Sequence, residues 1–377
     1  MDYINNYYSK FLDRVNFIEL KDYSDLNLSV DSDIKELPLP IVSDKLAKGI
    51  KTGELMEEVD AELIIDGMIW ILATDLNFEY REDYIKILRA FSQKIDDYIF
   101  FKGIKFLDRK LEERANIYFR ALSFINGEHI LGRFNYGLSL ERIAQEEISN
   151  SRENSGQAFL RASTLEFESI LDIDEDYSLA YYKLGYHYKF NGQFLKAKLM
   201  WEKFLKLDND DLRKQEIREE MDAIDDSVKL ESGLTYLSYN RHEDALELFL
   251  EILPRHENWW ELHYLIGSSY AGLNMGPEAI EAYKKALEAD DTREEVYNEL
   301  GIELFKLARL EEAVEVFTRG LGKIAGSYKL YFNRGLGYYQ LGDIDRAYGD
   351  ITEAHKLNPQ DKNVLEMKLS LDKKLDI

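Results

Sequence analysis

The chain has 377 residues, 72 acidic against 48 basic side chains, a formal net charge of -24 and no cysteine. That charge repels nucleic-acid phosphates and anionic lipid surfaces, and without thiols there is no disulfide, cysteine-metal or thiol-nucleophile chemistry.

Residues 2–20 place Ile4, Tyr7, Tyr8, Phe11, Val15 and Ile18 on one side of a helix, which predicts an N-terminal helical cap. The opening MDYINNYYSKF has no basic stretch followed by an apolar core, so no signal peptide is expected and the mature chain is expected to start near Met1. Lys21 to Glu36 is polar, and Leu37-Pro38-Leu39-Pro40 is expected to be extended because proline restricts the residue before it. This region is the best linker candidate. The most apolar stretch, Leu63 to Ala73, is broken by Asp66 and Gly67 and falls short of the roughly 20 residues of a membrane span. A soluble, cytoplasmic protein with no membrane partner is expected.

Further along, Gly233, Gly267, Gly301 and Gly335 stand 34 residues apart, each followed twelve residues later by Ala245, Ala279, Ala313 and Ala347. Tyr236, Tyr270 and Tyr338 recur in the same frame, as do Phe249, Tyr283, Phe317 and Ile351. A strict period of this length predicts stacked helical units, none of which buries its apolar face alone. Small residues let the two helices of a unit approach, and the large ones fill the space between units.

In this period and in its glycine-alanine frame the chain resembles the tetratricopeptide repeat family. The resemblance implies an all-α fold, a right-handed α-solenoid of stacked antiparallel helix pairs, A and B. Run backwards, the frame finds Gly185 with Ala197, Gly137 with Ser163, and Gly103 with Ala115, the last supported by Phe106, Phe119 and Leu122. A unit at 62–95 keeps only the large positions Leu72, Ile85 and Leu88, with Ile69 and Arg81 in the small ones, and is degenerate.

Two units are longer than the family's by 14 residues each. Between Gly137 and Ser163 the excess surrounds Ser149 to Gly156 and predicts two lengthened helices in a hairpin that stands out from the solenoid. Between Gly185 and Gly233 the extra segment carries Ile217, Met221, Ile224 and Val228, whose spacing is helical and predicts a longer helix A. The expected organisation is therefore a cap and linker over 1–61, divergent repeats over 62–129 and two inserted repeats over 130–225. Four regular repeats over 226–361 follow, then a capping helix over 362–377 with Val364, Met367, Leu371 and Leu375 inward.

The sequence carries no motif that points to catalysis or metal binding. The six histidines form no metal-binding spacing. The acidic run from Asp172 has Tyr177 and Lys183 where a calcium loop needs glycine and glutamate. The Gly320-Leu321-Gly322 stretch lacks the ending of a phosphate loop, and there is no GxSxG elbow. No cofactor, no metal, no nucleic-acid partner and no enzymatic activity are expected.

In the family, helix A lines the concave groove, and repeat positions 5 and 9 are among those that meet the ligand. Here those places hold Phe134 and Leu138, Tyr182 and Tyr186, Leu230 and Leu234, Tyr264, Asn298 and Ile302, and Phe332 and Leu336. The charged donors of a carboxylate clamp are missing from them, so the resemblance implies a largely apolar groove that binds a peptide, helix or hydrophobic segment of a protein partner. Two alternatives stand beside that: a peptide-sensing regulator with the layout of bacterial Rap-type proteins, or a chaperone for hydrophobic client segments. The same side chains also fit plain core, and the segment 2–20 fits either a cap on the core or a plug in the groove. Partner identity and oligomeric state are not encoded in any motif.

Overall fold

In the computed structural model, residues 2–18, 37–43 and 61–376 are described. Eighteen α-helices are found among them, arranged as consecutive packed pairs in an all-α repeat fold, together with one two-stranded sheet. The chain divides into two compact units, 1–219 and 220–377.

The N-terminal unit opens with α1, Tyr3–Ser9, whose first turn is capped by Asp2 accepting from the Asn5 amide at 3.0 Å. The helix expected over 2–20 stops there. Val15–Ile18 is instead strand β1, and it pairs antiparallel with β2, Leu39–Val42, in the register Val15 to Val42 and Ile18 to Leu39. Val15 and Ile18 are β-branched and suit a pleated surface, but the partner strand is remote in sequence and leaves no local signature. Leu37 to Pro40 is extended as expected, and Leu39 and Ile41 are fully buried. Residues 19–36, including the whole polar part of the linker candidate, Lys21 to Glu36, lie outside the described residues.

Helix α2, Ala61–Thr74, runs beneath this sheet and is buried continuously from Ile64 to Thr74. Gly67 is what admits the strand, because a Cβ there would collide with the Pro40 carbonyl. Helix α3, Arg81–Phe91, comes next, and the pairs that follow are α4, Ile95–Asp108, with α5, Glu112–Ile125; α6, Ile130–Ser149, with α7, Glu153–Ile173; and α8, Ser178–Phe190, with α9, Phe194–Leu207. Helices α6 and α7 are 20 and 21 residues long, against 13 and 14 for α8 and α9. Their hairpin does not stand free as expected. The Tyr7 ring of α1 packs edge-on against Phe159 of α7 at 5.2 Å, and the Tyr8 hydroxyl donates to Asn116 of α5 at 2.6 Å. With Tyr8 of α1 and Phe11 just after it both buried, the N-terminal arm is part of the core.

Helix α10, Asp211–Ser238, is 28 residues long and contains the division between the units. Ile217, Ile224 and Val228 are buried along it. The second unit continues with α11, His242–Ile252; α12, Trp260–Gly272; α13, Gly276–Ala289; α14, Glu294–Lys306; α15, Leu310–Lys323; α16, Tyr328–Gln340; α17, Ile344–Leu357; and α18, Lys362–Lys374. Asp361 caps α18 through the Asn363 and Val364 amides.

The repeat glycines face aromatic rings, a detail absent from the sequence pattern alone. A Cβ on Gly103 would lie 2.6 Å from the Phe119 ring, one on Gly137 2.7 Å from Phe167, and one on Gly267 2.5 Å from Tyr283. The large residue on helix B therefore sits directly on the glycine of helix A in its own repeat, while the alanines at 245, 279, 313 and 347 are fully buried.

A second periodic device lies in the A-to-B turns. Lys110, Gly192, Asn240, Asn274, Ala308 and Gly342 all have φ between 57° and 81°, and the last four are 34 residues apart. This left-handed residue ends each A helix; after it, the Arg309 amide reaches back to the Leu304 carbonyl at 2.9 Å. Alanine is strained in that conformation by about 1–2 kcal/mol. Ala308→Gly is therefore expected to stabilise the C-terminal unit by up to about 1 kcal/mol, the gain being reduced by glycine's greater freedom when unfolded. A melting midpoint that falls in Ala308→Gly would contradict it.

Candidate functional site

In the N-terminal unit the frame residues of α6 and α8 are half-buried. The Phe134 ring leans on Phe167 at 5.4 Å and Tyr177 at 5.6 Å. Leu138 lines a cleft of about 450 Å³ with Leu107, Asn135, Glu141, Arg142 and Lys183. The cleft walls are laced by ion pairs, Lys183 to Glu141 at 2.9 Å and Arg142 to Glu112.

Tyr182 and Tyr186 stand one turn apart on α8 with ring centroids 5.2 Å apart. Tyr182 also packs on Phe204, and Tyr186 on Trp201. Both hydroxyls donate to one oxygen, Glu216 Oε1, at 2.9 and 2.5 Å. Burial, and then the bond to Glu216, hold both phenols protonated above their ordinary range. Glu216 was not among the expected site residues. It lies in the inserted part of α10, which has no place in the 34-residue frame, and the adjacent Ile217 was its only signal.

In the C-terminal unit, Leu230, Tyr264, Asn298, Ile302, Phe332 and Leu336 are half-buried and Leu234 is 45% exposed. Tyr264 packs on Tyr283 at 5.8 Å. Asn298 Oδ1 accepts from Asn333 Nδ2 at 2.7 Å, while its own amide donates to Glu299 Oε1 at 3.0 Å. A second cleft of about 420 Å³, lined by Leu250, Ile266, Tyr270 and Ala282, contains none of the eleven expected residues. His263 at its wall is buried, and its Nε2 is bonded to the Glu257 carbonyl oxygen at 2.8 Å, as a packed core histidine should be.

Thus none of the eleven side chains is fully buried, and they occur as separate groups in the two units. The structure adds polar neighbours, Glu141, Lys183, Glu216 and Asn333, to a face expected to be mostly apolar. Among the described residues no group of three or more metal-ligating side chains is assembled, and no helix is long and apolar enough to cross a membrane.

Comparison with known proteins gives two matches to tetratricopeptide repeat models, at residues 261–293 and 328–361. No curated protein matches the chain. Among solved structures, the MamA protein is similar at 21% identity over 48% of this chain and 92% of its own, with a TM-score of 0.38. YrrB, described as a tetratricopeptide repeat protein with an unusual peptide-binding site, is similar at 17% identity over 66% of this chain and 97% of its own, with a TM-score of 0.28. The first tetratricopeptide repeat domain of Spaghetti (RPAP3), bound to the HSP90 peptide SRMEEVD, is similar at 19% identity over 31% of this chain and 94% of its own, with a TM-score of 0.30. The two matched segments coincide with the glycine-alanine frame of α12 with α13 and of α16 with α17, and the same ring-on-glycine packing recurs in both units. The chain is a tetratricopeptide repeat protein.

Proposed function

We propose that this protein is a non-catalytic interaction protein of the cytoplasm that binds a peptide, helix or hydrophobic segment of a partner protein on its A-helix faces. The observation that carries this is the accessibility of the eleven frame residues. Helix-B aromatics and alanines are consumed by packing inside each repeat, whereas Phe134, Leu138, Tyr182, Tyr186, Leu230, Leu234, Tyr264, Asn298, Ile302, Phe332 and Leu336 keep surface to offer. Apolar side chains left accessible beside a cleft favour an apolar anchor on the partner.

A peptide-sensing role is the second reading. The Asn298 and Asn333 amides, 2.7 Å apart, are the kind of groups that hold a peptide backbone.

Affinity copurification from the native host tests the first reading, using Leu138→Glu for one unit and Leu234→Glu for the other. Each is expected to lose the partner that the natural chain retains while staying folded, since Leu234 is 45% exposed and Leu138 is half-buried at the edge of the cluster around Phe167. Partners unchanged in both folded variants would refute it. A variant that unfolds would show that its residue is core.

A further inference from the structure

Behind the cleft at Leu138, a row of polar atoms stops one proton short. The Thr164 hydroxyl donates to the Leu160 carbonyl at 2.9 Å, which uses its single hydrogen. With that hydrogen on the carbonyl, the 2.9 Å contact between the Thr164 hydroxyl and His187 Nδ1 has the ring as donor. A neutral imidazole carries hydrogen on only one nitrogen, so Nε2 is then a bare lone pair. His187 is 3% exposed and its Nε2 has no hydrogen-bond partner. That nitrogen faces Glu141 Oε2 at 4.0 Å. A lone pair opposite a carboxylate is unfavourable in a buried place, and one added proton would turn the contact into a charge-assisted hydrogen bond.

Glu141 is already engaged. Lys183 Nζ donates to both of its oxygens, at 3.2 Å to Oε1 and 2.9 Å to Oε2, so the oxygen that faces His187 is also the one nearer to Lys183. Lys183 and Glu141 both line the cleft. The other charged groups near the ring act at one remove. Glu168 of α7 accepts from the Tyr188 hydroxyl at 2.5 Å, and Lys196 of α9 lies 5.4 Å from the Tyr188 ring. Phe167 of α7 covers the imidazole at 5.4 Å. Glu141 is thus the carboxylate placed to receive a proton-bearing Nε2, at the same oxygen that Lys183 approaches most closely.

We propose that His187 is a proton-operated latch on this cleft. On taking up a proton, its Nε2–H binds Glu141 Oε2, draws the carboxylate away from Lys183, and turns the Lys183 ammonium free toward the cleft. With the ring neutral the cleft presents a closed ion pair; with the ring protonated it presents a cation. The functional consequence rests on the reading of this face as a partner site: the protonated form favours a segment that places a carboxylate beside Leu138.

The test is a pH titration of the intact chain by NMR, with nitrogen-labelled histidine rings and lysines labelled at Cε. Neutral His187 is expected to carry its hydrogen on Nδ1, and the Lys183 Cε signal is expected to move at the same midpoint as the His187 ring. In Glu141→Gln the Lys183 response should disappear. The proposal is overturned if neutral His187 carries hydrogen on Nε2, if the ring stays neutral to about pH 5, or if Lys183 does not follow it. The natural chain alone suffices for these outcomes should the variant fail to fold. No partner is involved in the readout, so a failed latch and a failed binding face give separable results.

Discussion

Gly67→Ala is expected to destabilise the N-terminal unit by about 3 kcal/mol or more, at the upper end of the cost of overpacking. Two effects oppose each other at this position. Alanine is the better helix former by about 1 kcal/mol, which favours the variant. Against it, the new methyl would overlap the Pro40 carbonyl and lie 3.1 Å from the Ile41 nitrogen. Those are backbone atoms, and they cannot swing aside as a long side chain does. The strand that carries them is pinned by pairing with Val15–Ile18 and by the burial of Leu39 and Ile41. Steric overlap therefore wins. Gly349→Ala is the control: no atom lies within 4 Å of its added Cβ, so there the propensity gain should appear alone. Thermal unfolding of both variants checks the pair. A neutral Gly67→Ala would mean that the strand does not lie against α2.

Asp66→Ala is expected to cost roughly 3–5 kcal/mol, the range for removing one partner of a buried ion pair. The Asp66 carboxylate accepts from Lys102 Nζ at 2.6 and 2.8 Å, from the Tyr118 hydroxyl at 2.7 Å and from Tyr98 at 3.1 Å. Its side chain is 2% exposed and that of Lys102 15%. Without it, Tyr118 loses its acceptor in the interior, and Lys102 keeps Glu62 at 2.6 Å and Tyr98. Lys102 already holds the Glu62 carboxyl below its ordinary range by hydrogen bonding and charge. Part of the damage comes from leaving the largely buried Lys102 with one carboxylate in place of two, so Asp66→Ala combined with Lys102→Met should be less destabilised than Asp66→Ala alone. Denaturant unfolding of the two single variants and the double variant measures this coupling. Equal losses in Asp66→Ala and the double variant would show that the ammonium is not the cause.

The repeats were legible because their sterics act through one small residue per helix at a fixed period. Gly267 with Ala279, and Gly335 with Ala347, mark the segments that the family models also match. The N-terminal arm was not legible. Tyr7, Tyr8 and Phe11 set up a helical spacing that Val15 and Ile18 continue by coincidence, and the pairing that makes Val15–Ile18 a strand comes from Leu39–Val42. Within the candidate site, the frame supplied the A-helix residues but not the carboxylates that tie them. Glu216 sits in an insertion outside the frame, and Glu141 meets Lys183 only once α6 and α8 are packed. The left-handed turns were partly visible as Gly192, Asn240, Asn274 and Gly342, but Lys110 and Ala308 hide the pattern.

Site-specific photo-crosslinking in the native host locates the partner on the surface of the repeats. A photoreactive side chain would be placed in turn at Leu138 and Leu234 on the A helices, and at Leu165 and Leu250, which are 61% and 41% exposed on the B helices α7 and α11. Binding on the A-helix faces predicts a common protein adduct at 138, at 234 or at both, and none at 165 and 250. An adduct confined to 165 or 250 would place the partner on the helix-B surface and exclude binding on the A-helix faces.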